Sequence, residues 1–279
     1  MTDQPVIAVI AAGDMGAAVG ARLAAQGCRV VTSLAGRSAA SRARAEAAGM
    51  ADASDAAIAA ADMILSIVPP GDALALAERL APAMAASRPL YVDCNAVSPQ
   101  TVTAIGAVVR ATGAPFVDAG IVGGPPGPGY TPVIYASGPQ APRFAALNNR
   151  GLDIRVMDGP VGQASALKMC YAGLTKGLHA VGVAVIQGAI EAGIEEPFLA
   201  ELVASQPMLL DYFTRRTPGI FPKAYRWVAE MQEIGDFLGG PGEAIYDGAA
   251  ALFDGMARDH AGSKAEEAEL LAFLQRAPR

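Results

Sequence analysis

The chain has 279 residues, 52% of them hydrophobic and 17% charged, with a net charge of −6. A chain this apolar buries a large core, which excludes disorder, and an acidic balance without clustered Lys and Arg excludes a nucleic-acid partner. Three cysteines (Cys28, Cys94, Cys170) and two histidines (His179, His260) are too few and too scattered for a disulfide framework or a zinc site, so no metal is expected.

The opening stretch, MTDQPVIAVI, has no basic residue ahead of its apolar run and does not read as a secretory signal. No run of about 18 apolar residues reads as a membrane span. The most apolar long segment, 177–190, carries His179 and Gln187. The expected compartment is therefore the cytoplasm.

Along the first 160 residues, short β runs alternate with Ala-rich helical runs. Val6–Ile10 reads as a buried strand, followed by a glycine turn and a helix over roughly Met15–Gln26. Cys28–Thr32 is a second strand, and Ser38–Ala48 a helix that Ser38 is placed to cap. Met63–Val68 is a strand stopped by Pro69-Pro70, and Asp72–Ala85 a helix. Leu90–Asp93 is a strand, with Pro99 in the first turn of the helix after it. Phe116–Asp118, Val133–Ala136 and Ile154–Met157 are further strands. This alternation predicts a Rossmann-type, doubly wound parallel sheet, an α/β domain over 1–160. From Val161 onward no β signal remains, which predicts an all-α C-terminal domain over 161–279 opened by a long helix. On that helix Leu167, Cys170, Leu174, Leu178, Val181 and Val185 recur at steps of three and four, one apolar stripe read as its core face.

The first turn, Ala11-Ala12-Gly13-Asp14-Met15-Gly16, is one residue short of G-x-G-x-x-G. Gly13 admits backbone amides to a pyrophosphate, Gly16 lets the helix pack closely, and the helix N-terminus favours the anion. In the first βαβ unit of a chain this pattern points to a dinucleotide. An NAD site places an acid about 20 residues on, to bind the ribose hydroxyls. Here that stretch is Val31-Thr32-Ser33-Leu34-Ala35-Gly36-Arg37-Ser38, with no acid. Ser33, Arg37 and Ser38 suit a 2′-phosphate instead, so NADP is expected over NAD. Asn95 and Ser98 stand at the end of a strand, where such sheets place ligand contacts. Asn95 and Ser98 have the alternative of capping the helix at Pro99.

Four segments resemble the β-hydroxyacid dehydrogenase superfamily, which includes 3-hydroxyisobutyrate and 6-phosphogluconate dehydrogenases. Ile7 to Gly16 resembles its cofactor turn, and Leu65-Ser66-Ile67-Val68-Pro69-Pro70 the strand end beside the cofactor. Asp118-Ala119-Gly120-Ile121-Val122-Gly123-Gly124 resembles its substrate loop, and Gly162 through Lys168 its Gly-x₅-Lys. The resemblance implies that Lys168 is catalytic, that Val122, Gly123 and Gly124 meet a small-molecule substrate, and that the chain is a homodimer. The chain departs from the family at Ala11, at Val122 (usually Ser), at Ala172 (usually Asn) and near Glu230-Met231 (usually Lys-Asp).

Lys168, Tyr171, Thr175 and His179 follow at steps of three, four and four, a polar edge on the long helix. Tyr171 and Thr175 are the candidate substrate contacts there, while His179 is expected to pack inside. If that edge faces the cleft between the domains, Lys168 exchanges a proton with a bound carbonyl or hydroxyl oxygen. Lys176, Lys223 and Arg215-Arg216 read as solvated surface charges. The expected activity is interconversion of a small hydroxy acid and its carbonyl form. The alternatives are an imine reductase, which lacks a lysine at the position of Lys168, and a non-catalytic NADP-binding sensor.

Overall fold

The computed structural model describes residues 4–278. Met1–Asp3, part of the stretch read for a targeting signal, and Arg279 lie outside the described residues. Eight strands form one sheet: β1 (Val6–Ile10), β2 (Arg29–Thr32), β3 (Met50–Asp52), β4 (Met63–Ser66), β5 (Leu90–Asp93), β6 (Phe116–Val122), β7 (Val133–Ser137) and β8 (Asp153–Val156). Their order is β3-β2-β1-β4-β5-β6-β7-β8. The strands from β3 across to β6 are parallel. β7 is antiparallel to β6, and β8 parallel to β7. The sheet is mostly parallel, as expected, and departs from that at this step: loop 123–132 contains no crossover helix, and a parallel return needs one. The order reverses between β1 and β4, which puts the ligand-binding edge of such a sheet at their carboxyl ends.

The period of two along each strand sends neighbouring residues to opposite faces. Ile7, Val9, Met63, Leu65, Leu90 and Val92 go to one core, with α1 (Asp14–Ala25), α2 (Ala39–Ala47) and α6 (Ala141–Ala145). Ala8, Ile10, Ile64 and Tyr91 go to the other, with α3 (Asp55–Ala59), α4 (Ala73–Ser87) and α5 (Pro99–Ala111). The predicted strands and long helices are present, with shifted ends. β3, α3 and α6 were not legible, because none exceeds five residues.

The long helix α7 runs over Gln163–Glu191. The chain divides into two compact units, one ending at Met169 and the next beginning at Cys170. The expected boundary at 160 lies nine residues earlier, because the first turns of α7 are fastened to the sheet as described below. The second unit comprises the rest of α7 with α8 (Glu195–Ser205), α9 (Pro207–Arg216), α10 (Ala224–Leu238), α11 (Gly240–Ala261) and α12 (Ala265–Gln275).

Two expectations on α7 are corrected. The stripe read as core is largely exposed: Leu174 keeps 72%, Val181 58% and Val185 51% of its surface and Cys170 is exposed too, while Leu167 and Leu178 are half-buried. The buried positions beyond its first turn include Met169, Ala172, His179, Ala180, Val183, Ile186 and Ala189. Small residues among them carry little hydrophobic signal, so periodicity found the more apolar face and not the packed one. Lys176 is not a solvated lysine; it is largely buried, ion-paired with Glu230 of α10, with the Trp227 ring centre 4.8 Å from Nζ. Among the described residues α7 alone is long and apolar enough to cross a membrane by length and composition, an exception to the sequence reading. Its ion-paired Lys176 and its buried His179 mark it as a packed helix.

Candidate functional site

The glycine turn lies at the β1/β4 reversal. β1 ends at Ile10, and Gly13 precedes α1 as its N-cap in extended conformation, with no side chain capping the helix. The first-turn amides of α1 therefore lack the side-chain acceptor a Ser or Asp cap would bring, as an anion site requires. A Cβ built on Gly13 meets no protein atom within 4 Å, so the space before the turn is open to a ligand. A Cβ on Gly16 would run into the Ala11 carbonyl oxygen, so Gly16 serves the close packing of turn on helix. Ala11, the departure from the glycine pattern, is buried and donates its amide to Ile67 O at 3.2 Å, joining the ends of β1 and β4. Ala12 is buried, whereas Asp14 is exposed and Met15 half-buried.

Beyond β2, Ser33 is buried and Arg37 and Ser38 are exposed. Ser38 caps α2, its hydroxyl accepting from the Ser41 amide at 3.2 Å. Two arginines of α2 that sequence reasoning passed over also reach this corner. Arg42 Nη2 donates to Leu34 O at 2.6 Å and its Nε to Arg37 O at 3.3 Å. Arg44 Nε donates to Ala12 O at 3.2 Å, in the glycine turn itself. Asp52, at the end of β3, directs Oδ1 to the Leu34 amide at 2.9 Å. The signal was present: Arg37, Arg42 and Arg44 fall within eight residues of a mostly neutral domain.

At β4, Val68 and Pro70 are half-buried and Pro69 exposed. Asn95 is buried, with its amide turned inward. Its Nδ2 donates to Ser66 Oγ and Asp93 Oδ2, both at 2.8 Å, and its Oδ1 accepts from the Val68 amide at 2.7 Å. Both amide hydrogens are engaged within the protein, and Asn95 braces the strand end that carries Val68. Ser98 caps α5, accepting from the Thr101 amide at 3.2 Å.

β6 carries the other half of the arrangement. Asp118 pairs with Asp93, the last residue of β5, so residues 119–122 run past the end of β5 toward the ligand edge. Asp118, Gly120 and Val122 share one face by strand alternation. Asp118 is fully buried and accepts five hydrogen bonds. Its Oδ2 takes the amides of Gly162 (2.8 Å), Ala164 (3.0 Å) and Ser165 (3.1 Å) and the Ser137 hydroxyl (2.8 Å), and its Oδ1 the Ser165 hydroxyl (2.7 Å). One carboxylate thus ties down the start of α7. One turn on, Lys168 packs against Gly120: a Cβ there would lie 2.9 Å from Lys168 Cβ and 2.9 Å from Ala164 O. Gly120 is the gap that lets α7 bring Lys168, half-buried, against β6.

Comparison with known proteins agrees with this geometry. Residues 6–149 match the family described as the NAD binding domain of 6-phosphogluconate dehydrogenase, and residues 189–256 a domain of unknown function, DUF1932. The chain belongs to the β-hydroxyacid dehydrogenase-like superfamily. It is 30% identical over 178 residues to an uncharacterized 28.5 kDa protein of Methanothermus fervidus, covering 63% of this chain and 68% of that one. A solved protein of unknown function, described as structurally similar to 3-hydroxyacid dehydrogenases, aligns at 30% identity and TM-score 0.69, covering 95% of this chain and 99% of that one. The Mycobacterium tuberculosis 3-hydroxyisobutyrate dehydrogenase shares the fold at 19% identity and TM-score 0.62, covering 98% and 100%.

The candidate positions that the sequence suggested are divided between the two units. Ala12, Gly13, Arg37, Val68, Val122, Gly123, Gly124 and Lys168 belong to the first unit, Tyr171 and Thr175 to the second. Thr175 Oγ1 donates back to Tyr171 O at 2.9 Å, so its hydroxyl serves the helix, and Tyr171 is half exposed. His179 packs inside, as expected. It is buried among Tyr212, Phe213 and Trp227, with Nδ1 2.7 Å from the Thr175 carbonyl oxygen. Asp118, named only as part of a motif, is the site residue that sequence reasoning missed. The available signal was an acid inside an apolar strand, since a buried charge demands partners.

Proposed function

We propose that the chain is a cytoplasmic, NADP-dependent oxidoreductase that interconverts a small hydroxy acid and its carbonyl partner, with Lys168 as general acid and base. The observation that carries this reading is the fastening of Lys168. Asp118 pins the start of its helix, and Gly120 admits it against the strand that extends past β5 at the sheet's ligand edge. A general acid must be held within reach of one oxygen, and this double constraint removes the freedom of a surface lysine. Lys168 gives its proton to the carbonyl oxygen in the reductive direction and takes the hydroxyl proton in the oxidative one. The hydride at the substrate carbon would be supplied or accepted by a bound nicotinamide.

The residues present suit that cofactor. Gly13 and the uncapped amides of α1 would hold the pyrophosphate, since a Cβ at Gly13 meets no protein atom. Arg37, Arg42 and Arg44 bring positive charge to the corner after β2, where a 2′-phosphate distinguishes NADP from NAD. Val122, Gly123 and Gly124 face the substrate.

A panel of small hydroxy acids with NADP⁺ and NAD⁺, and of their carbonyl partners with the reduced forms, tests the reading through the absorbance of reduced nicotinamide. Turnover of at least one pair, faster with the phosphorylated cofactor, is the expected result. Cofactor binding with no turnover across the panel would make the chain a non-catalytic NADP-binding protein. Arg37→Ala is expected to weaken NADP⁺ about tenfold and leave NAD⁺ unchanged, measured by calorimetry. Equal loss of both would remove Arg37 from the 2′-phosphate site.

A further inference from the structure

Loop 123–132 has no helix or strand of its own, yet one side chain holds it from outside. Arg22, on α1, donates Nη1 to Thr131 Oγ1 (2.8 Å) and Gly151 O (3.2 Å), and Nη2 to Gly127 O (2.9 Å) and Tyr130 O (3.2 Å). The loop tip closes on itself: the Gly127 amide donates to Tyr130 O at 3.0 Å and the Tyr130 amide to Gly127 O at 3.1 Å. Gly129, at φ +69, makes the turn between them. A planar guanidinium that fills several acceptors fixes their geometry as a single point charge does not.

The consequence is the position of Tyr130. Its side chain folds back over Gly123, where an added Cβ would run into the Tyr130 hydroxyl, and Gly123 sits at φ +125. Tyr130 keeps 46% of its surface, and among the described residues its hydroxyl makes no hydrogen bond. A phenol used for packing hides its ring or satisfies its hydroxyl. This one is half exposed, with its hydroxyl brought over Gly123. Gly123 directly follows Val122, the last residue on the β6 face that carries Asp118 and Gly120 and meets Lys168.

We propose that Tyr130 is a specificity-determining residue whose hydroxyl donates a hydrogen bond to the substrate's carboxylate beside Gly123 and Gly124, with Arg22 as the positioning residue that holds it there. This rests on the hydroxy-acid reading above. The face ends in apolar Val122, so the hydroxyl brought over Gly123 is the side-chain donor at that end. A neutral donor also reads the carboxylate without competing with Lys168 for the proton that moves.

Tyr130→Phe removes the hydroxyl and keeps the exposed ring, so the fold is not at stake. Two probes, 3-hydroxypropionate and its neutral amide, are titrated calorimetrically into wild type and variant saturated with NADP⁺. The expected result is about a tenfold weaker Kd for 3-hydroxypropionate in the variant, as a hydrogen bond to a charged group implies. The amide is affected less than about twofold, and NADP⁺ affinity is unchanged. Equal weakening of both probes, no weakening of either, or no binding of 3-hydroxypropionate to wild type overturns the proposal. The two readings fail separately. Tyr130-dependent carboxylate binding without hydride transfer refutes only the oxidoreductase, and turnover indifferent to Tyr130→Phe refutes only this assignment.

Discussion

At the residue scale the account turns on two side chains, Asp118 and Lys168. Asp118 lies in a strand where every other residue from Phe116 through Ile121 is apolar or glycine, and such a strand accepts a carboxylate only when its oxygens are fully used. Asp118 meets that condition with three amides and two hydroxyls. Asp118→Asn keeps the shape but turns an amide donor toward groups that are themselves donors. We expect it to cost about 3 kcal/mol of stability in urea unfolding, from weakened charge-assisted bonds and a buried group left unmatched. A change below about 0.5 kcal/mol, the range of an ordinary surface substitution, would show that the carboxylate is not what fastens α7.

At the element scale α7 shows where sequence reading succeeds and where it stops. Its existence was legible, because β signals end near Val161 and an apolar period of 3.6 begins. Its packed face was not. Ala172, Ala180 and Ala189 bury against neighbours, while the bulkier Leu174, Val181 and Val185 stay exposed. Periodicity reports hydrophobic contrast, and within one chain that need not equal burial. The glycine turn was legible because its chemistry is local: Gly13 and Gly16 do at short range what their spacing implied. The roles of Asn95, Arg42 and Arg44 depend on pairings across strands and helices that no local pattern contains.

His179, on α7, carries a pH dependence with a definite sign. Burial, the largest cause, and the nearby Arg216 hold its pKa below the usual 6.5 against the opposing hydrogen bond to Thr175, so the folded state favours the neutral imidazole. The unfolded chain then binds more protons as pH falls through the ordinary histidine range. Stability from this residue is fully present above that range and is lost as pH drops below it. We expect the melting temperature of wild type to fall between about pH 7 and pH 5, and His179→Phe to flatten that fall. An identical pH profile in the variant would remove His179 as its source.

At the scale of the whole molecule, the exposed stripe on α7 is the clearest unfinished surface. Tyr171, Leu174, Val181 and Val185 lie along one helix face at steps of three, seven and four, and solvent exposure of such a seam is unfavourable for a lone chain. We propose that a second copy of the chain covers it, the homodimer implied by the sequence resemblance. Leu174→Glu is expected to shift sedimentation from twice the chain mass to the chain mass, because a carboxylate in a self-complementary contact meets its own copy or loses its water. Wild type sedimenting as a monomer would refute the dimer outright.

The central claim is that the amine of Lys168 moves the proton that accompanies hydride. It is tested most directly by Lys168→Met, assayed on whichever hydroxy acid the wild type oxidises, with NADP⁺ affinity measured alongside. The account predicts cofactor binding unchanged and kcat lowered by about 10²–10⁴-fold, the usual worth of a positioned general acid or base. A Lys168→Met protein that binds NADP⁺ normally and turns over at the wild-type rate would contradict it.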